Sequence, residues 1–360
     1  MTHTRRLTRR LVLGVLLVLA ACSTAPKPAP GQPALEPNAA RVRVIFDTDL
    51  GIDVDDAGAL ALLHALANKG EVRILATVSN VNDPYAPAAL DAVNTYYRRP
   101  DLLVGRNPRA GHYAVATAYW WPEPPRFVRT VAEGFPHDTP LTGGRSAVSV
   151  YRQALAAQPD RSVTVIGVGF FVNLSDLLAS PPDRYSPLSG LQLVGRKVKE
   201  LVVMAGSWPN GGDHDLYLSG GREITPDYAR RVLAAWPTPI VVVPGSVCSP
   251  LRNGATLATA TPPTNPVRAL YREFHRGLEG KGRVSWDLCA VMYGVRGLLN
   301  PYGETMFGLS SSEHMTLSAD GRNSLWKTPG NGHQRRLYRV WPADRLQQNL
   351  EYLITKLPRP

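Results

Sequence analysis

The sequence predicts an α/β protein built on a doubly wound, largely parallel open sheet flanked by helices, and three observations carry that expectation. Apolar runs of strand length alternate with helical stretches along the chain. The later runs, 163–168, 201–204 and 240–243, read as near-continuous apolar stretches, the pattern of strands covered on both faces. A cluster of carboxylates falls at the end of the first run, where open α/β sheets carry their ligand sites. The first strand is expected over residues 42–46. A helix over 56–68 follows, with Leu60, Leu63 and Ala67 on one face and Gly70 as its stop. The next strand is 72–78, and Pro87 then opens a helix running to residue 97. Later strands are 163–168, 201–204 and 240–243, with helices over 147–157 and 225–235 between them. In the second of these helices Thr225 suits the N-cap and Pro226 the first helical position.

The 360 residues are 44% hydrophobic, enough for a sizeable core, which excludes wholesale disorder. Three cysteines cannot build a disulfide scaffold. Lys and Arg number 40 against 29 Asp and Glu, a net charge of +11. Arg5, Arg6, Arg9 and Arg10 crowd the N-terminus, however, and the remaining cations are scattered along the sequence. No basic stripe interleaves with aromatics, so nucleic acid is not an expected partner.

The first ten residues are basic, and residues 11–21 form an apolar run shorter than the roughly 20 residues that span a bilayer. This is the layout of a secretory signal. Its end, Leu19-Ala20-Ala21-Cys22, resembles a bacterial lipobox, whose cysteine is acylated and becomes the mature N-terminus. Residues 1–21 are therefore expected to be a signal peptide of the lipoprotein type. Pro26, Pro28, Pro30, Pro33 and Pro37 make 22–40 a semi-extended tether, and 41–360 is expected to be a single domain. An ordinary signal peptide with an incidental cysteine is the alternative. Ser23 after Cys22 favours, by family analogy, the outer membrane. The expected location is thus the bacterial cell envelope, lipid-anchored through Cys22 and facing the periplasm. With Cys22 lipidated, Cys248 and Cys289 remain, and whether they pair stays open.

Asp47-Thr48-Asp49-Leu50-Gly51-Ile52-Asp53-Val54-Asp55-Asp56 places five carboxylates at the exit of the first strand. Like charges this close repel strongly unless a cation sits among them. Hard carboxylate oxygens without His or Cys suit calcium or magnesium. A solvated loop capping the next helix would need one or two acids, and an EF-hand loop would be flanked by helices and end in a bidentate Glu.

The string resembles the N-terminal signature of the inosine/uridine-preferring nucleoside hydrolase family, DxDxGxDD before an apolar helix. Further segments resemble that family in order: Ser79-Asn80-Val81, then Gly169-Phe170-Phe171-Val172-Asn173-Leu174, Met204-Ala205-Gly206 with Pro209-Asn210-Gly211-Gly212, and Ser285-Trp286-Asp287. The resemblance implies a Ca2+ ion held by Asp49, Asp56, the backbone carbonyl of Val172, and Asp287. It also implies Asp49 as general base on a metal-bound water, and ribose contacts from Asp55 and Asn80. The implied reaction is hydrolysis of the N-glycosidic bond of a small-molecule ribonucleoside, giving free base and ribose.

The chain departs from the family pattern in four places. Asp53-Val54 looks inserted, so either Asp53 or Asp55 is the ribose partner. Asp213-His214-Asp215 stands where the substrate loop has Glu-x-Asn, and Val172 stands where Thr is usual. Trp286 occupies the place of a His taken to protonate the leaving base. His137, beside Asp138 in the long 105–145 region, is a substitute leaving-group acid. His112 and the Tyr119-Trp120-Trp121 group share that region, whereas His64 inside the first helix reads as structural. Two readings from other classes remain. One is a degenerate, non-catalytic ribosyl-ligand-binding lipoprotein, and the other an aspartate-nucleophile phosphatase, which leaves 53–56 and Asp287 without a role. Assembly into homo-oligomers stays open.

Overall fold

The computed structural model describes residues 41–107, 127–141, 144–213, 215–216 and 225–359. The expected signal peptide, tether and Cys22 lie outside these residues, as do His112, Tyr119, Trp120, Trp121 and His214. The chain begins with β1 (Val42–Thr48), α1 (Asp55–Asn68), β2 (Val72–Ser79), α2 (Ala86–Tyr96) and β3 (Leu103–Gly105). It continues through α3 (Phe127–Gly134), α4 (Ala147–Ala156), β4 (Val163–Val168), α5 (Val172–Ala179), α6 (Gly190–Lys197) and β5 (Val198–Met204). Next come β6 (Asn210–Gly212), α7 (Thr225–Ala235), β7 (Ile240–Val243), β8 (Arg252–Asn253), α8 (Pro266–Phe274), β9 (Arg283–Val284) and α9 (Trp286–Arg296). The last elements are β10 (Phe307–Ser310), β11 (His314–Leu317), β12 (Asn323–Lys327), β13 (Gln334–Arg339) and α10 (Ala343–Ile354).

Eight strands form one sheet in the order β10-β13-β7-β5-β4-β1-β2-β3, parallel except for the edge strand β10. The expected open, largely parallel α/β sheet is therefore present. Side chains alternate across a strand, so each apolar run feeds two cores. Val44 and Phe46 of β1, Ile166 and Val168 of β4, and Val241 and Val243 of β7 pack with Leu60, Leu288 and Leu350 of α1, α9 and α10. Their neighbours Ile45, Val165 and Val242 pack on the other face with Val150, Leu177, Val194 and Val232 of α4 to α7. Helices on both faces leave the carboxyl ends of the strands as the open edge.

Several strands lie outside those expected. β3 is only three residues long. β13 extends the sheet beyond β7, and β11, β12 and β6 form a separate three-stranded sheet that turns part of the glycine-rich 209–212 segment into a strand. No described helix is long and apolar enough to cross a membrane.

His64 is fully buried on α1, as a structural histidine should be. Its Nε2 bonds Asn94 Oδ1 at 2.9 Å, its Nδ1 lies 3.3 Å from Arg99 Nη1, and its ring stacks on Tyr97. With Nδ1 facing a guanidinium, the proton belongs on Nε2. Burial, and then the Arg99 charge, push its pKa down to about 3. The unfolded chain accepts a proton near pH 6.5, which the folded chain refuses, so this part of the stability is complete above pH 6.5 and falls as pH drops. The stability gap between wild type and His64→Gln should therefore narrow by about 1.4 kcal/mol between pH 7.5 and 5.5 in denaturant titrations. A constant gap would show that the imidazole protonates in place.

Candidate active site

The acidic string divides at the end of β1 into a supporting half and a cavity half. Asp47, still in the strand, is buried and accepts three hydrogen bonds: from Tyr151 Oη at 2.7 Å, Asn80 Nδ2 at 3.0 Å and Asn173 Nδ2 at 3.1 Å. Burial lifts its pKa to about 7 against the pull of those donors. Asn80 also donates to the Val168 carbonyl at 3.4 Å and accepts from the Phe170 amide at 3.2 Å. Its amide is thereby committed to joining β1, β2 and the exit of β4. Asn80 does not line the cavity, in contrast to the ribose contact expected for it.

The other half faces a cavity of about 420 Å³ at the carboxyl edge of the sheet. Asp49, Asp53, Asp55, Asp56, Asp213, Asp215 and Asp287 all line it, together with Trp286. Asp55 and Asp56 open α1, and Asp287 lies in the first turn of α9. Single oxygens of Asp55, Asp56 and Asp287 come within 4.8 Å of one another. The Asp287 amide donates to Asp55 Oδ2 at 3.1 Å, so two helix N-termini are locked together at this point. Thr48 Oγ1 donates to Asp56 Oδ1 and accepts from the Leu50 amide at 3.2 Å, orienting the Asp56 carboxylate.

Asp49 sits against Gly169, whose backbone has φ +106. A Cβ there would lie 2.6 Å from Asp49 Cγ, so a glycine is what lets the turn into α5 approach this carboxylate. Val172, whose carbonyl is the expected fourth ligand, opens α5 three residues later and is buried outside the cavity lining.

The electrostatics are those of carboxylates without enough cations. Burial, then mutual repulsion, raises Asp49, Asp55, Asp215 and Asp287 well above the usual carboxylate range, and burial lifts Asp213 to about 6. Asp56 Oδ2 and Asp215 Oδ2 are buried without a hydrogen-bond partner among the described residues. Buried oxygens of this kind cost free energy unless satisfied. An all-oxygen donor set with orphaned carboxylate oxygens suits a hard divalent cation.

One cation does line the cavity, and sequence reasoning missed it. Arg283 Nε lies 2.8 Å and 3.0 Å from the Asp53 carboxylate oxygens. Its guanidinium also stands 5.0 Å from the Trp286 ring and 5.5 Å from that of Phe274. Asp53 is thus spoken for, which leaves Asp55 as the aspartate beside Asp56 and Asp287. A disulfide joins Cys248 to Cys289, with Cα atoms 6.2 Å apart. It ties the segment carrying Ser246 and Ser249, both in the cavity wall, to the helix carrying Trp286 and Asp287. His137 is elsewhere: its Nε2 is bonded to the Ala132 carbonyl at 2.7 Å, and it does not line the cavity.

No protein-family model matches the chain, and no curated protein matches it. Solved structures do. The crystal structure of an inosine-uridine preferring nucleoside hydrolase from Bacillus anthracis matches with a TM-score of 0.60 at 14% identity, over 88% of this chain and 100% of that one. An inosine-guanosine nucleoside hydrolase matches with a TM-score of 0.60 at 16% identity, over 89% and 100%. The type III effector XopQ, solved with adenosine diphosphate ribose, matches with a TM-score of 0.58 at 13% identity, over 88% and 93%. The fold is that of the nucleoside hydrolases.

A cation that binds the folded site and not the unfolded chain stabilises by about 2.7 kcal/mol at 100 times its Kd. Calcium titrated into the metal-stripped protein should therefore raise Tm by a few degrees. Asp287→Ala should lose that rise in differential scanning calorimetry. Equal rises in both proteins would remove Asp287 from the ligand set.

Proposed function

We propose that the protein is a calcium-dependent hydrolase of ribonucleosides, releasing free base and ribose. One observation carries the reading: a buried trio of carboxylates, with Asp49 beside it, opens on a nucleoside-sized cavity at the carboxyl edge of this fold. Asp49, Asp56, Asp287 and the Val172 carbonyl would hold the ion. Bound there, calcium would supply a water of lowered pKa and positions for two ribose hydroxyls.

The side chains divide the remaining work. Asp49, fixed by its contact with Gly169, takes a proton from the attacking water on a carboxylate oxygen. Ionised aspartates accept hydrogen bonds and do not donate them, so Asp55, Asp213 and Asp215 suit a ligand rich in hydroxyl groups. Together they also stabilise the oxocarbenium-like charge that develops on the sugar. Trp286 and Phe274 offer flat apolar surface to the base, and Arg283 keeps Asp53 out of the sugar site.

We further propose that Cys22 is the lipid-anchored N-terminus of a periplasm-facing envelope protein. The disulfide between Cys248 and Cys289 agrees with an oxidising compartment. The alternative, a binding protein without turnover, is favoured by Asp215 where a hydrogen-bond donor is expected and by Trp286 where a His is expected.

The leaving group separates the two. General-acid help is worth roughly 10²–10⁴ in rate, and no histidine lines the cavity among the described residues. Nitrophenolate leaves without a proton, whereas a purine or uracil does not. p-Nitrophenyl riboside should therefore be cleaved at least about 10²-fold faster than inosine or uridine in a kcat/KM comparison. Asp49→Asn should abolish cleavage of all three. Calcium-dependent riboside binding without turnover would establish the binding protein instead.

A further inference from the structure

We infer that the amino edge of the sheet, opposite the cavity, is a docking face for an anionic phospholipid surface. The cations that are scattered in sequence are gathered there by the topology. In a parallel sheet all strands enter from one edge, and here they enter past exposed positive residues. Reading across the sheet, these are Arg335 at β13, Lys199 at β5, Arg161 before β4, Arg41 before β1, Arg73 at β2 and Arg98 before β3. With strands about 4.8 Å apart, this makes a row of one charge per strand. The row is interrupted at β7, which is entered through Pro237 and Pro239. Lys199 has Glu200 at 3.7 Å. The side chains of Arg41, Arg73, Arg98 and Arg161 have no carboxylate partner among the described residues. The exposed Asp101 is the counter-charge beside β3, and Asp160 is already paired with Arg196 and Lys197.

A second observation concerns the backbone. Arg98 and Arg161 have φ +62 and +53, the left-handed region that glycine occupies freely and other residues enter at a cost of about 1–2 kcal/mol. Both lie in turns that lead into strands at this edge. Glycine would relax these turns, so replacing the two arginines by glycine removes their charge without straining the backbone; Arg276, outside the row, has φ +57 as well.

The occupant is argued from where the chain outside the structure joins it. Residues 1–40 run into the domain at Arg41, in the middle of the row. A proline-rich stretch the length of 22–40 reaches about 60 Å, which holds a domain near a membrane without orienting it. A row of cations spaced along one edge supplies the orientation. It lies flat against anionic headgroups, each contact worth about 1 kcal/mol, and it turns the aspartate-lined cavity towards the aqueous side. This inference does not depend on the proposed reaction, since it concerns the opposite edge of the sheet.

The test uses full-length chains carrying Cys22→Ser, so that any acyl anchor is removed and the N-terminal segment contributes equally to each protein. Binding is read by co-sedimentation with vesicles of pure phosphatidylcholine, and with vesicles containing one part phosphatidylglycerol to two of phosphatidylcholine. The parent should bind the anionic vesicles more tightly than the neutral ones. Arg98→Gly combined with Arg161→Gly should weaken anionic binding about tenfold or more while Tm stays level or rises. Unchanged binding in the double variant would overturn the inference. So would a falling Tm, which would give the two arginines a structural role. Binding to duplex DNA at the same salt, in place of anionic vesicles, would reassign the face to nucleic acid.

Discussion

Mutual repulsion among buried carboxylates is the constraint on which the rest of this structure depends. Asp49, Asp55, Asp56, Asp215 and Asp287 share one low-dielectric edge of the sheet, and each is buried. Left alone, such a cluster must take up protons, and the upward pKa shifts express that. A divalent cation relieves the same repulsion without protonation. The chemistry of the edge therefore turns on which of the two neutralises it, and the surrounding residues hold the carboxylates together in either state. Thr48 fixes Asp56, the Asp287 amide fixes Asp55, and Gly169 admits Asp49.

The scaffold behind that edge is polar as well, but it is fully satisfied, and the contrast is informative. Asp47 stands two residues from Asp49 and is also buried, yet three neutral donors surround it. Its oxygens have partners, whereas Asp56 Oδ2 and Asp215 Oδ2 have none among the described residues. A satisfied buried network rigidifies, and a partly satisfied one marks the place where a ligand completes it. The boundary between support and site thus runs between Asp47 and Asp49.

Much of this was legible in the sequence, for identifiable reasons. β4, β5 and β7 are covered on both faces, so the buried parts of these strands read as near-continuous apolar runs and announce themselves. β13, next to the edge strand β10, reads QRRLYR, with three polar residues in succession and no apolar run, and carries no such signal. The acidic string was legible because its members are contiguous. The Asp53–Arg283 pair was not, because 230 residues separate the partners and nothing local marks either as the other's match. The family resemblance gives Asn80 a ribose contact, and in the structure its amide is hydrogen-bonded among the ends of three strands, a long-range arrangement that no local pattern announces.

The same topology that gathers the acids also gathers the bases, and helix dipoles act on both. In a doubly wound sheet the helices run antiparallel to the strands, so their N-termini share the carboxyl edge and their C-termini the amino edge. Asp55 and Asp56 occupy the first turn of α1 and Asp287 that of α9, where the positive end of the dipole favours anions. Arg196 and Lys197 close α6 and Arg296 closes α9, where the negative end favours cations. Each such placement contributes roughly 0.3–1 kcal/mol, less than the repulsion between two buried carboxylates a few ångströms apart. The dipoles therefore explain why the charges lie where they do. They do not neutralise the acidic edge, and the repulsion among Asp55, Asp56 and Asp287 survives them.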